Sequence, residues 1–147
     1  MVLLRKLSEF GAPVSDLKTI YTSYIRSVLD QSAVVCHSSL TEENKLDLSR
    51  VQKTACKVIL KGRYKTYEKA LEVLDLDKLS DRREKLCQAF AKKSIKNGTL
   101  EFKEIDQLKY MATRNKNKYQ ITHCNTERLK KSALPHMQRS LNMIEQG

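Results

Sequence analysis

Residues that break helices or form tight turns are scarce in this chain of 147 residues, which contains four glycines and two prolines. So little turn chemistry disfavours β-hairpins and suits helices. The apolar runs are only a few residues long, whereas a membrane span needs roughly 18. The first residues, MVLLRKLSEF, have too short an apolar stretch for a signal peptide and lack a small-residue cleavage site. We therefore expect an intracellular protein, nuclear or cytoplasmic, with no membrane partner.

Recognisable catalytic motifs are also missing from the sequence. It contains no glycine-rich phosphate loop, no GxSxG and no HExxH, and its three histidines are separated from one another. The acidic pairs Glu42–Glu43 and Asp75–Asp77 can in principle hold Mg²⁺. Their positions instead favour roles at helix starts and ends. We expect no catalytic residue, no metal site and no cofactor.

The cysteines lack the spacing of a zinc finger or a redox pair. None of the four, Cys36, Cys56, Cys87 and Cys124, forms a CxxC motif. The adjacent pairs Cys36–His37 and His123–Cys124 suggest a Cys2His2 site, but neighbouring residues rarely both reach one tetrahedral ion. The sequence therefore predicts free, reduced and mostly buried thiols.

Positive charge is the strongest compositional feature of the chain. Lys and Arg number 28 against 17 Asp and Glu, giving a formal net charge of +11 and an isoelectric point near 9.6. Such an excess favours anionic partners, of which nucleic acid is the commonest. The alternative is that the charge serves solubility alone.

Helical spacing of apolar residues predicts an all-α fold, a small helical bundle. A short first helix is expected to end at Gly11 and Pro13, and Ser15 is expected to cap the second helix. The apolar face of that second helix comprises Leu17, Ile20, Tyr21, Tyr24, Ile25 and Val28. Thr66 is expected to begin a shorter helix that carries Tyr67, Ala70, Leu71 and Leu74.

A helix from Thr41 to Gly62 is predicted to be amphipathic, with a basic side opposite its apolar side. The apolar side consists of Leu48, Val51, Ala55, Val58 and Ile59. The opposite side consists of Arg50, Lys53, Lys57 and Lys61, with no acid between them. Such a stripe is consistent with a phosphate-facing surface and equally with a solvated one.

The segment LSDRREKLCQAFAKKSIKN predicts a further long helix, capped by Asp77 or Ser80 and ended at residues 97–98. Its apolar stripe is Leu79, Leu86 and Phe90. Arg83 lies close to this stripe, which predicts a structural, partly buried guanidinium paired with an acid. Lys92, Lys93 and Lys96 make its last turn basic.

The last third of the chain predicts a basic, irregular segment before a C-terminal helix that docks on the bundle. Residues 99–113 show no clean period, and alternation of Tyr119 and Ile121 indicates a brief extended segment. The basic side chains of residues 114–131 are Arg114, Lys116, Lys118, Arg128, Lys130 and Lys131. The terminal helix has Leu134, Met137, Leu141 and Ile144 on one face, which is expected to pack. The predicted division is therefore 1–98, 99–131 and 132–147.

The order of several short motifs resembles the region after the polymerase palm in reverse transcriptases of non-LTR retrotransposons, of the jockey-like kind. The matching elements are Tyr–Ile–Arg–x–Val–Leu at 24–29, His–x–x–Leu–Thr at 37–41, Arg–Val–Gln–Lys at 50–53, Leu–x–Leu–x–x–Leu–x–x–Arg–Arg at 74–83, and Thr–Glu–Arg through Leu–Asn at 126–142. The resemblance covers nearly the whole chain. One departure is Cys36, where the family usually has tryptophan.

The resemblance implies a thumb-like helical region that grips a template–primer duplex through phosphates, without metal and without reading bases. The residues implicated are the stripe from Arg50 to Lys61, Lys92, Lys93 and the basic residues of 114–131. In the family, the palm with its metal-binding aspartates precedes this region, so this chain is expected to be inactive alone. Any Mg²⁺ would belong to that palm.

Two other functions remain open from the sequence. One is a protein-interaction or self-association module that uses the first helix, VLLRKL, or the exposed face of the helix at 16–29. The other is a relic of a mobile element without selected activity. Tyr119 has two roles open to it, stacking on a base and packing in a half-buried position, of which packing is favoured.

Overall fold

The computed structural model describes residues 1–105 and 117–145. Within those ranges the secondary structure is helical, and the one β feature is an isolated antiparallel bridge between Glu104 and Tyr119. The predicted all-α class is therefore confirmed. None of the helices in the described ranges is both long and apolar enough to cross a membrane.

The chain forms two compact units. The first unit comprises Met1–Ser32 and Leu40–Arg83, and the second comprises Ala33–Ser39 and Glu84–Gly147. The predicted division into 1–98, 99–131 and 132–147 stays a prediction.

The first unit is built from five helices and the beginning of a sixth. These are α1 (Val2–Glu9), α2 (Val14–Ile20), α3 (Ser27–Asp30), α5 (Glu42–Leu60), α6 (Tyr67–Leu74) and the start of α7 (Leu79–Lys96). The predicted threonine caps are confirmed, because the Thr41 hydroxyl accepts from the Asn44 N–H at 3.2 Å and that of Thr66 from the Lys69 N–H at 3.4 Å. Each cap satisfies a backbone donor that the first helical turn leaves free.

The core of the first unit lies where α1, α2, α5 and α6 pack together. Its buried apolar side chains are Leu4, Leu17, Tyr21, Ala55, Cys56, Ile59, Leu60, Ala70, Leu71, Leu74 and Leu76. At about 25 cal/mol per Å² of buried apolar surface, this cluster is the main favourable contribution to the folding of the unit.

The second helix departs from its prediction in two ways. It begins at Val14 after Pro13, whose extended backbone serves as the N-cap, so Ser15 lies inside the helix instead of capping it. Residues Tyr21–Arg26 then form a π-helical stretch before α3. Its wider turns change the rotation per residue. Tyr24 and Val28 are consequently 70% and 66% exposed, not part of the apolar face.

Helix α5 ends at Leu60, two residues before the predicted stop at Gly62. The residue with positive φ is Lys61 (φ 47°), and residues Lys61–Arg63 form a 3-10 turn. Lys61 therefore lies past the end of α5 and not on its surface.

Helix α7 buries Leu79 and half-buries Leu86, as predicted, but the rest of its buried face differs from the predicted stripe. Phe90 is 43% exposed, while Cys87, Ala91 and Ser94 are buried. These three small residues are four and three positions apart, so they share one helix face. That face packs, although the largest apolar residue of the segment, Phe90, is not on it. Predicting burial of Phe90 was therefore wrong.

The buried state predicted for Arg83 is confirmed, since it is 5% exposed, but its partner is different. Its guanidinium donates to the backbone carbonyl of Leu29. The ion pair with an acid is made by the neighbouring Arg82, whose Nε lies 2.5 Å from Asp30 Oδ2.

The second unit contains α4 (Ala33–Cys36), the 3-10 turn His37–Ser39, the rest of α7, α8 (Glu127–Lys130) and α9 (Ala133–Glu145). Its buried core is Ala91, Tyr119, Met137 and Leu141. The predicted docking of the terminal helix is confirmed for Met137 and Leu141. Leu134 and Ile144 are 48% and 38% exposed, so their predicted burial was wrong.

Side-chain amides of α9 hold the extended segment around Tyr119. The Tyr119 N–H donates to Asn142 Oδ1 at 2.8 Å, and Asn142 Nδ2 donates back to the Tyr119 carbonyl at 2.9 Å. One turn away, the Thr122 N–H donates to Gln138 Oε1 at 2.8 Å. This segment is therefore fixed to α9 at two points, and residues 106–113 of the predicted loop lie outside the described residues.

A buried glutamine ties three parts of the first unit together. Gln52, on α5, has no exposed surface. Its Nε2 donates to the Asp77 carbonyl at 2.9 Å, while its Oε1 accepts from the Tyr67 hydroxyl at 2.7 Å and from the Leu79 N–H at 2.9 Å. Without this amide the buried Leu79 N–H would be left unsatisfied, and the Tyr67 hydroxyl and the Asp77 carbonyl would each lose a hydrogen bond.

We expect Gln52→Met, which keeps the side-chain length, to lower the free energy of unfolding by about 3 kcal/mol, because one buried and two half-buried hydrogen bonds are lost together. Urea unfolding followed by circular dichroism measures the change. The control is Gln31→Met at an exposed position, for which we expect less than about 0.5 kcal/mol. Equal midpoints for the two variants would contradict the role of the buried amide.

Candidate nucleic-acid interface

Exposed cations line the solvent side of α5. Arg50, Lys53 and Lys57 are exposed and spaced three and four residues apart, which places them on one helix face over about 10 Å of its length. Lys61 follows at the start of the 3-10 turn and is also exposed. We call these four residues the α5 basic face. The predicted exposure of all four side chains is confirmed.

Two tyrosines position the central lysines of this face. Lys53 Nζ lies 5.2 Å from the ring centroid of Tyr67, and Lys57 Nζ lies 5.6 Å from that of Tyr64. A cation over an aromatic face at this distance is attracted by the ring quadrupole. Burial raises the pKa of Tyr67 to about 12, so its ring stays a neutral phenol at physiological pH. The two ammonium groups are thereby held in place without an anionic partner.

The other two cations of the face already have polar partners. Arg50 pairs with Asp47, one turn earlier on α5, at 2.7 Å. The Lys61 ammonium donates to the backbone carbonyl of Ser8. Both the exposed ion pair and the bond to the carbonyl compete with an incoming phosphate. Lys53 and Lys57 are therefore the members of the face whose positive charge is least neutralised by polar partners.

Three further cations, which the helical pattern did not single out, follow α5. Arg63, Lys65 and Lys69 are exposed. None of the three side chains has an ion-pair or hydrogen-bond partner among the residues that the structure describes. The sequence signal was available as a cluster of bases between Lys57 and Lys69, in which Glu68 is the single acid. It was missed because it does not follow the helical period.

The predicted cations of the second unit come from three separate segments and share no single helix face. Lys92 and Lys93 are exposed near the end of α7, and Arg128 and Lys131 are exposed in and just after α8. Lys130 pairs with Glu127 at 3.3 Å. The remaining predictions for this unit, Arg114 and Lys116, lie outside the described residues, and Lys118 Nζ lies 5.3 Å from the Tyr119 ring centroid.

Packing, the favoured role for Tyr119, agrees with its position. The side chain is 7% exposed and meets Phe102 edge to face at 6.0 Å between ring centroids. A ring buried to this degree does not offer a face on which a base can stack.

A cluster of ionisable and polar side chains in the second unit surrounds Glu84. The nearest nitrogen of His136, Nε2, lies 2.9 Å from Glu84 Oε2, and His37 Nε2 lies 3.5 Å from the same oxygen. The Ser140 hydroxyl donates to Glu84 Oε1 at 2.6 Å. Burial raises the pKa of Glu84, but hydrogen bonds from Ser140 and His136 outweigh it, so the pKa lies below its usual value.

The geometry of the Glu84 cluster fits a structural role better than catalysis. His136 and Ser140 both lie on α9 and both contact the Glu84 carboxylate of α7, so the cluster joins these two helices. Across the described ranges, no group of three His, Cys, Asp or Glu side chains is arranged to hold a metal ion. Sequence reasoning missed the cluster because His37, Glu84 and His136 come together only in the fold.

The thiols are free, as predicted. Cys56 and Cys87 are buried, and Cys36 and Cys124 are half-buried. Burial raises the pKa of Cys56 to about 11, which keeps it a protonated, unreactive thiol. The Cys87 thiol donates to the Ala33 carbonyl at 3.3 Å.

Comparison of the chain with protein-family models, with curated proteins and with solved structures gives no match. The resemblance to retrotransposon reverse transcriptases therefore stays a prediction.

We expect Glu84→Gln to lower the free energy of unfolding at pH 7 by about 1.5 kcal/mol, because hydrogen bonds to a charged acceptor are lost. The folded-state pKa of Glu84 is lowered, so its stabilisation is present above the ordinary carboxyl pKa of 4.5 and disappears as pH falls through the folded value. Thermal unfolding of both proteins between pH 7 and pH 3 should converge at the acidic end. A difference that is constant over this range would contradict this account. The control, Glu101→Gln at an exposed site, should change little at any pH.

Proposed function

We propose that this chain binds nucleic acid through the phosphate backbone, without reading bases, in the manner of the thumb-like region of a retrotransposon reverse transcriptase. The observation that carries the proposal is the pair Lys53 and Lys57, held over Tyr67 and Tyr64 on the α5 basic face. In this proposal the chain is inactive alone as a polymerase.

The spacing of the two lysines supports phosphate contacts along one strand. Residues four positions apart on a helix are separated by about 6 Å along its axis. An ammonium group is a point charge that binds a phosphate oxygen without regard to the base attached. Because the rings pre-order both side chains, less side-chain entropy is lost when phosphates bind.

Neighbouring cations extend this surface along the same unit. Arg63, Lys65 and Lys69 follow the α5 basic face in sequence and are all exposed. A cluster of cations on a protein surface attracts a polyanion and speeds its association at low salt. This interface needs neither a metal nor a cofactor for binding.

We expect Lys53→Gln with Lys57→Gln to weaken binding to an RNA–DNA hybrid by about tenfold at low salt, equally for different sequences. The plot of log affinity against log salt concentration should become shallower by about two, since two phosphate contacts are lost. Fluorescence anisotropy with two labelled hybrids of unrelated sequence, across a salt series, measures both effects.

The matched control is Lys78→Gln with Lys103→Gln, which removes the same net charge at two exposed positions that are not part of the α5 basic face. It should keep most of the affinity. Equal losses in the two double variants would assign binding to net charge and count against a defined interface, and no binding by the native chain would reject the proposal.

Self-association is the second candidate function, and the surface of α1 favours it. Val2, Leu3 and Phe10 are 67%, 62% and 86% exposed. Large apolar side chains exposed close together are typical of interaction surfaces. In this alternative the exposed side chains of Val2, Leu3 and Phe10 meet a second copy of the chain or another protein.

If α1 mediates self-association, Leu3→Glu with Phe10→Glu should convert oligomers into monomers, because charge disfavours burial of that surface. Light scattering coupled to gel filtration at moderate salt measures the mass. The control, Leu46→Glu with Val73→Glu, changes two exposed apolar residues on other helices and should leave the mass unchanged. A native chain that is monomeric at every concentration would exclude this candidate.

A further inference from the structure

A small cavity beside the α5 basic face has a lining of apolar and basic side chains. Its volume is about 230 Å³. Its apolar lining consists of the buried Leu60 and Ala70 and the exposed Val73, and its charged lining consists of the exposed Arg63, Lys65 and Lys69. All six residues belong to the first unit, at the end of α5, in the following connection and on α6.

The charged residues that line this cavity are all basic. Glu68 and Glu72 are exposed on α6, but neither lines the cavity. The three cations that line it have no ion-pair or hydrogen-bond partner in the part of the chain that the structure describes. They therefore remain available to an anion.

We propose that this cavity binds the terminal phosphomonoester of a nucleic-acid strand, an inference that rests on the proposed function. A phosphomonoester carries a charge of about −1.5 to −2 at pH 7 and three strong acceptor oxygens. A diester within a strand carries one charge. Three cations around one cavity thus complement the end of a strand better than its interior.

The volume of the cavity and its mixed apolar and basic lining also favour a terminal phosphate as the ligand. A cavity of about 230 Å³ is too small for a duplex and is below the range of about 300–1,000 Å³ typical of drug-sized ligands. It suits a phosphate together with part of the adjoining sugar or base, for which Leu60 and Val73 provide apolar contact. An internal phosphate, with chain continuing on both sides, enters a concave site less readily.

Because of the position of the cavity, two groups of cations would bind different phosphates of the strand. Leu60 is the last residue of α5, and Arg63 lies six positions after Lys57. Lys53 and Lys57 contact internal phosphates, while Arg63, Lys65 and Lys69 hold the terminal one. The interface thereby prefers a phosphorylated strand end in addition to binding duplex in general.

The test compares RNA–DNA hybrids of one sequence whose DNA strand ends in a 5′-phosphate, a 3′-phosphate or hydroxyls only. We expect either the 5′-phosphorylated or the 3′-phosphorylated hybrid to bind about fivefold more tightly than the hydroxyl form. The expected gain is modest because ion pairs at exposed positions are weak. Arg63→Gln with Lys69→Gln should abolish the preference, and Lys53→Gln with Lys57→Gln should weaken all three hybrids while the preference persists. Circular dichroism confirms that each variant is folded.

The outcomes separate this inference from the proposed function. Equal binding of all three hybrids by the native chain, or a preference that survives Arg63→Gln with Lys69→Gln, overturns the terminal-phosphate site and leaves the α5 basic face intact. Absence of binding to every hybrid overturns both. The single variant Lys65→Gln supplies a second reading, since it should weaken binding of the preferred phosphorylated hybrid more than binding of the hydroxyl form.

Discussion

The hydrogen bonds of one buried side-chain amide, that of Gln52, underlie the arrangement of the first unit. This amide joins α5 to the Tyr67 hydroxyl on α6 and to the start of α7. Tyr67 in turn carries Lys53 over its ring. The position of a surface charge is therefore traceable to a polar group in the core. Buried polar groups that are fully hydrogen-bonded specify a single arrangement, because any alternative leaves them without partners.

The second unit follows the same principle with different residues. Asn142 exchanges two hydrogen bonds with the backbone of Tyr119, and Glu84 accepts from Ser140 while lying against two histidines. These contacts join segments that are distant in sequence. The apolar core of the second unit is small. Polar contacts thus determine which segments meet, while apolar burial supplies most of the free energy.

Local signals in the sequence predicted the fold class, the Thr41 and Thr66 caps, and the exposure of the α5 basic face. They failed where tertiary packing decides. The π-helical stretch turned Tyr24 out of the core, and the packed face of α7 is built from small residues, so that Phe90 points to solvent. Gln52 was invisible to the pattern, since a glutamine beside apolar residues reads as a surface position. Two of the three cations that line the cavity, Arg63 and Lys65, lie in the connection between α5 and α6, where there is no helical period to group them with Lys69.

The end of α5 has a consequence for how an anion would be received. Lys61 adopts φ 47° and ψ −126°, a backbone conformation that residues other than glycine rarely adopt. Its ammonium group donates to the Ser8 carbonyl. Strain of this kind persists only where surrounding contacts over-determine it. The connection that follows is held at its start by this hydrogen bond and at its end by the Thr66 cap of α6. Because both ends are fixed, less backbone entropy is lost when an anion binds there than in a loop whose ends are free.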